Sequence, residues 1–201
     1  LWAVGQTRAA AVVIVAGCTW GGVAMGARAE TAAREPSLRR VLDEHLGGFR
    51  MVPVAPPGEH APIETTLRLL EDAAIAETGV RVRAEARSVR LEGREIPVEG
   101  GVLVSVGGAA AEARAGLWRS GRVIRAPLTF RRPARYLNAG VPDGEREAAR
   151  AGVALLARAK SGLLVSVEAP GSRIEEMAAA IRMRVRARVA RHMAGGDPVR
   201  R

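Results

Sequence analysis

The chain is poor in cysteine, histidine, lysine and aromatic side chains, and each shortage closes off a class of function. Cys18 is the only cysteine among 201 residues, so an intrachain disulfide and a cysteine-rich metal site are both excluded. His45, His60 and His192 stand far apart and share no ligand spacing. Aromatics make up 3% of the chain, so a core has to be built from Val, Leu, Ile and Ala. No G-x-S-x-G, P-loop, H-E-x-x-H or dinucleotide glycine signature occurs. Asp143, Glu145 and Glu147 fall at an expected helix start, where acids complement the helix dipole rather than perform acid–base work. The sequence therefore predicts no catalytic role, no cofactor and no metal.

What fills the chain is arginine. Of 31 basic residues all but Lys160 are Arg, the formal net charge is +10, and the pI is about 11.4. A balance of this kind favours polyanionic partners, nucleic acid or an anionic membrane. GC-rich coding is the plainer account of Arg over Lys, but it explains less well the excess of base over acid. Six arginines and no acid lie between Arg119 and Arg135.

Long uncharged runs are also scarce, with one exception. Arg8 and Arg28 bracket 19 residues, AAAVVIVAGCTWGGVAMGA, without a charge. At about 1.5 Å per residue this nearly crosses a bilayer core. Gly22 and Gly26 form a G-x-x-x-G pair suited to close helix packing. Residues 1–28 are predicted as a transmembrane helix. Two other readings stay open: a cleaved secretory signal, and a lipoprotein signal in which Val15-Ala16-Gly17-Cys18 serves as lipobox and Cys18 carries the lipid. Against cleavage, the apolar run continues well past Cys18. Residues 29–48 read as a juxtamembrane helix or linker. Ser37 is its expected N-cap, Leu38, Val41, Leu42 and Leu46 its apolar face, and Gly47-Gly48 its stop.

From residue 49 to 170 the period changes to two. In VRVRAEARSVRL, Val80, Val82, Ala84 and Ala86 face one way and Arg81, Arg83, Glu85 and Arg87 the other. Near Ser88 the phase slips, as at a β-bulge, and bulges let a sheet curl. Further strands are expected at Ile63 to Leu70, Glu95 to Val98, Val102 to Val106, Gly121 to Ala126, Leu128 to Phe130 and Leu163 to Val167. Glu95 to Val98 and Val102 to Val106 are separated by Gly100-Gly101. A helix is expected over Glu145 to Ala159. The predicted fold class is mainly β with flanking helices (α+β), the β part being a small OB-like Greek-key barrel.

Such barrels hold single strands with a positive groove and stacking side chains. The candidate DNA-binding residues are Arg81, Arg83 and Arg87 on one strand, then Arg119, Arg122, Arg125, Arg131, Arg132 and Arg135, with Tyr136 as a stacking group. The plainer reading of the strand arginines is a solvated sheet face. Trp118 and Phe130 suit the core better than a platform. Residues 171–201 form a last unit, a basic amphipathic helix. Ser172 and Glu175 match a capping box, and Ile174, Met177, Ala178, Ile181, Val185 and Val189 share a stripe among arginines. Membrane contact or packing on a partner are its two expected uses.

Three stretches carry a resemblance: REIPVEGGVLVSVGG (94–108), GLWRSGRVIRAPLTFRRPARYLNAGVPD (116–143) and EAARAGVALLARAKSGLLVSVE (147–168). In order and spacing they resemble the N-terminal region of ComEC-type DNA internalisation (competence) proteins. The family's Asn-Pro-Gly turn appears as Asn138-Ala139-Gly140, without the fixed φ of proline. Asn138 and Gly140 remain able to make a structural turn. The resemblance implies a bacterial cytoplasmic-membrane protein whose β domain lies outside that membrane and guides single-stranded DNA to a channel. The partners it implies are DNA, the lipid bilayer, the channel portion of the same protein lying beyond this chain, and other DNA-uptake proteins. The rival expectation is a non-catalytic envelope interaction or scaffold module, lipid-anchored at Cys18.

Overall fold

A computed structural model of the chain describes residues 19–20, 22, 25–26, 36–45, 61–134 and 143–194. Most of the expected transmembrane segment, and Cys18, Arg135, Tyr136, Asn138 and Gly140, lie outside them. Thr19, Trp20, Gly22, Met25 and Gly26 are helical, and Trp20 and Met25 are exposed. Among the described residues no helix is long and apolar enough to cross a membrane.

The architecture is α+β, with helices around a seven-stranded sheet. Helix α1 (Ser37–His45) precedes strands β1 (Ile63–Leu69), β2 (Ala74–Ala76), β3 (Gly79–Leu91) and β4 (Arg94–Val106). Helix α2 (Ala109–Arg114) and a 3₁₀ turn (Ala115–Leu117) lead to β5 (Val123–Arg131). Helix α3 (Gly144–Arg150), β6 (Leu155–Ala159), a second 3₁₀ turn (Gly162–Leu164), β7 (Ser166–Ala169) and helix α4 (Arg173–Ala194) complete the order.

Antiparallel pairing joins β1 to β3 and β3 to β4. Strand β6 lies parallel to β4 and antiparallel to β5, and β5 pairs back onto β1. The pairings thus run β1-β3-β4-β6-β5 and return to β1, with β2 on β3 and β7 on β5 as additions. Inside lie Val80, Val82, Ala84 and Ala86 of β3, then Val89 and Leu91 after the slip. The slip has a visible cause. Between β1 and β3 the register shifts at Thr66/Leu67, which leaves Arg87 as the extra residue on β3. The β3–β4 register shifts beside it, between Ala86 and Ser88. Glu92 and Gly93 both take positive φ, 50° and 77°, as a tight two-residue hairpin requires.

Several sequence expectations need correction. The helix expected over Glu145 to Ala159 stops at Arg150, and Leu155–Ala159 is a strand between β4 and β5. Gly152, at φ 70°, turns the chain there. The strand expected over Leu163 to Val167 is a 3₁₀ turn followed by β7. Gly100-Gly101 does not break a strand but lies inside β4. The missing side chains make room: a Cβ on Gly101 would collide with the Gly152 carbonyl, and Gly100 lies against Pro36 and Leu38. Strand β5 is continuous through Pro127, which falls between the residues paired with β7 and those paired with β6. Helix α2 is not foreseen from the sequence.

Helix α1 is part of the folded unit. Leu38 and Leu42 are fully buried in the same core as the strands, and the Ser37 hydroxyl accepts the Glu99 N–H at 2.7 Å. Trp118 and Phe130 are buried too, as core groups rather than platforms.

Candidate polyanion-binding face

Outward positions on the ring of strands decide where charge is offered. Register places Arg81 beside Ser105, Ser105 beside Arg158, and Arg158 beside Thr129. One row along, Arg83 meets Leu103, Leu103 meets Leu156, and Leu156 meets Arg131. Their sequence neighbours Val82, Val104, Ala157 and Phe130 are buried, so both rows point outward. Arg81, Arg158 and Arg131 are exposed. Among the described residues no carboxylate lies within ion-pair distance of these three. Neighbouring strands stand about 4.8 Å apart, so Arg81 and Arg158 are separated by roughly 10 Å of sheet.

The other sequence candidates are largely spent inside the protein. Arg83 pairs with Glu71 at 2.9 Å and donates to the Ala151 carbonyl at 3.1 Å. Arg87 pairs with Glu85 on its own strand at 3.1 Å. Arg125 lies between Glu168, at 3.7 Å, and Glu64, at 3.9 Å. Arg132 grips both oxygens of Asp43 at 2.7 and 2.9 Å, tying β5 to α1. Arg119 and Arg122 both serve Glu176, Arg122 with two bonds of 2.6 and 2.8 Å. Of the stretch that looks free of acids in sequence, Arg119, Arg122, Arg125 and Arg132 therefore meet carboxylates in space, from α4, β1, β7 and α1, and Arg131 does not.

Helix α4 begins with the expected capping box: Ser172 N–H donates to Glu175 at 2.8 Å, and Glu175 N–H donates to the Ser172 hydroxyl at 3.3 Å. Glu175 also takes Arg68 at 2.6 Å. Farther along, Arg182 forks onto Asp72 at 2.8 and 3.0 Å, and Asp72 accepts the Ser120 N–H at 3.0 Å. These partners act on titration. The Arg182 bond holds the Asp72 carboxyl below its usual range, and the Arg122 bond does the same for Glu176. Glu175 is lowered first by the Ser172 N–H.

Sequence reasoning missed Arg158, because the segment around it reads as a helix. Its signal is the short apolar run ending in alternation, Leu155-Leu156-Ala157-Arg158-Ala159. Asp143 caps α3 through Oδ1, which accepts the N–H groups of Glu145 and Arg146. Glu145 pairs with Arg39 at 3.0 Å. Among the described residues no group of His, Cys, Asp and Glu is placed to hold a metal ion.

No known protein family matches the chain, and neither does any curated protein or solved structure.

Proposed function

We propose that the ring β1-β3-β4-β6-β5 is an OB-like Greek-key barrel, and that the protein is the extracytoplasmic, non-catalytic part of a ComEC-type DNA-uptake transporter. In this reading the barrel holds single-stranded DNA by its phosphates and passes it toward a membrane channel. The return of β5 to β1, the parallel β4–β6 pair and a helix interrupting the series before β5 support the barrel. The quoted sequence stretches support the family. The observation that carries the binding role is the outward row bearing Arg81 and Arg158, with Arg131 diagonal to it, all exposed and unopposed by acid among the described residues. Guanidinium donors fit phosphate oxygens, and Leu103 and Leu156 between them give an apolar floor without base-edge donors. Little sequence preference is expected.

The test is a salt titration of the full chain in detergent with labelled single- and double-stranded oligonucleotides. Changing Arg81, Arg131 and Arg158 together to Ala should weaken single-strand binding. It should also reduce the slope of log affinity against log salt by about 2, near 0.7 per lost phosphate contact. Arg122→Ala, which removes a paired arginine, should leave both nearly unchanged. Equal effects from the two variants would overturn the assignment of this face.

One observation favours a second reading, a scaffold or envelope interaction module. Arg68, Arg83, Arg122, Arg125 and Arg132 all serve internal carboxylates. Absence of DNA binding at low salt would leave this reading standing.

A further inference from the structure

Helix α4 is fixed to the sheet by its polar side. Glu175, Glu176 and Arg182 reach Arg68, Arg122 and Asp72, and Ala179 is buried between them. The apolar stripe consequently faces outward. Ile174, Met177, Ile181, Val185 and Val189 are exposed by 75, 61, 54, 56 and 52%. A soluble helix normally turns such a stripe inward, and the ion pairs prevent this one from rolling over. From Ile174 to Val189 the stripe runs about 22 Å, at about 1.5 Å per residue.

Beside the stripe stand Arg184, Arg188 and Arg191, all exposed. No acid follows Glu176 within the helix. This flank decides the occupant. A second copy of α4 would bring arginines against arginines, and like charges at a helix seam oppose pairing. An anionic leaflet suits both parts: acyl chains for the stripe, lipid phosphates for the guanidiniums, whose stems lie along apolar surface.

We propose that α4 lies on an anionic lipid surface with its apolar stripe in the headgroup–acyl boundary, and so fixes how the sheet stands against the membrane. The helix docks at the end of the ring formed by the close of β1 and the start of β5. Register puts the start of β3 and the ends of β4 and β6 at that same end. Arg81 and Arg158 therefore lie toward the lipid side of the ring. The proposal concerns lipid alone and does not depend on DNA binding.

Its test uses the full chain with Cys18→Ser, so that single cysteines placed at Ile181 or Val185 can carry an environment-sensitive fluorophore. A cysteine at exposed Arg150 serves as control. Vesicles of phosphatidylcholine, alone or mixed with phosphatidylglycerol, are added. The labels at 181 and 185 should brighten and shift to the blue with mixed vesicles only, while the label at 150 stays unchanged. Adding Arg184→Glu and Arg188→Glu should weaken the response by roughly fivefold or more per arginine. Since these side chains are exposed and unburied, the fold should survive, which far-UV dichroism checks. Attachment through the N-terminal apolar stretch alone would leave labels 181 and 185 unshifted and overturn the proposal. So would a shift without lipid that grows with protein concentration, which would mean a second copy covers the stripe. An equal shift with phosphatidylcholine alone would overturn the anionic part.

Discussion

Arg122 holds Glu176 with Nε and Nη2, at 2.6 and 2.8 Å, across 54 positions of sequence. The pair is the centre of the contact between α4 and the sheet. Both side chains are mostly covered, and Arg119 approaches the same carboxylate at 3.7 Å. A double-mutant cycle with Arg122→Ala and Glu176→Ala should return a coupling of about 1 kcal/mol, above an ordinary surface pair because the fork is bidentate. Urea unfolding of the single and double variants measures it. A coupling near zero would mean that α4 is held by other contacts.

Acid should loosen the same contact. The Asp72 carboxyl is lowered from its ordinary 3.8, chiefly by Arg182, and that of Glu176 from 4.5, chiefly by Arg122. Near pH 4 the unfolded chain then binds more protons than the folded one. Stability is fully present above the unfolded values and is lost as pH falls through the lowered ones, from about pH 5 downward. Urea midpoints measured from pH 7 to pH 3 should fall on the acid side, and Asp72→Asn should flatten part of that fall. An unchanged acid limb in the variant would remove Asp72 from the account.

Gly101 of β4 and Gly116 of the first 3₁₀ turn should respond differently to one methyl group. Gly101→Ala sets a Cβ on the Gly152 carbonyl, where only backbone can yield. It should cost about 1–3 kcal/mol or more. At Gly116 nothing lies within 4 Å of the added atom, so Gly116→Ala should stay within about 0.5 kcal/mol. Thermal and urea unfolding of both variants compares them.

Helix α1 should prove inseparable from the β domain. Leu42 is fully buried in the shared core, so Leu42→Ala should cost about 2–5 kcal/mol. A loss below about 0.5 kcal/mol by urea unfolding would mean that the helix is an appendage, as its sequence alone suggests.

Where one face of a strand is inside and the other outside, the sequence declares it. Residues 80 to 91 alternate, and even the slip at Arg87 is legible in the change of phase. Where a strand is short and its outward face also carries an apolar residue the signal fails, because a short apolar run suits a helix equally well. Leu155–Ala159 is such a case, and misreading it hides Arg158. Gly100-Gly101 reads as punctuation, yet the pair is there to admit Pro36, Leu38 and the Gly152 backbone. The charge balance is the least legible part. Arg68, Arg122 and Arg182 meet acids 107, 54 and 110 positions away, so counting acids along a short stretch overstates how much positive charge is free. The capping box at Ser172, by contrast, is a local device and is read correctly from four residues.

Strand β6 has a consequence in time as well as space. It slots between β4 and β5, both made long before it. Until Ala159 has left the ribosome those two strands each keep a row of unpaired backbone groups, and the ring has no way to shut. Closure also waits on β1 meeting β5 across about sixty residues. Such distant pairings make folding slow. A chain interrupted before Leu155 would be caught with two open edges, the state in which sheets recruit their neighbours and aggregate.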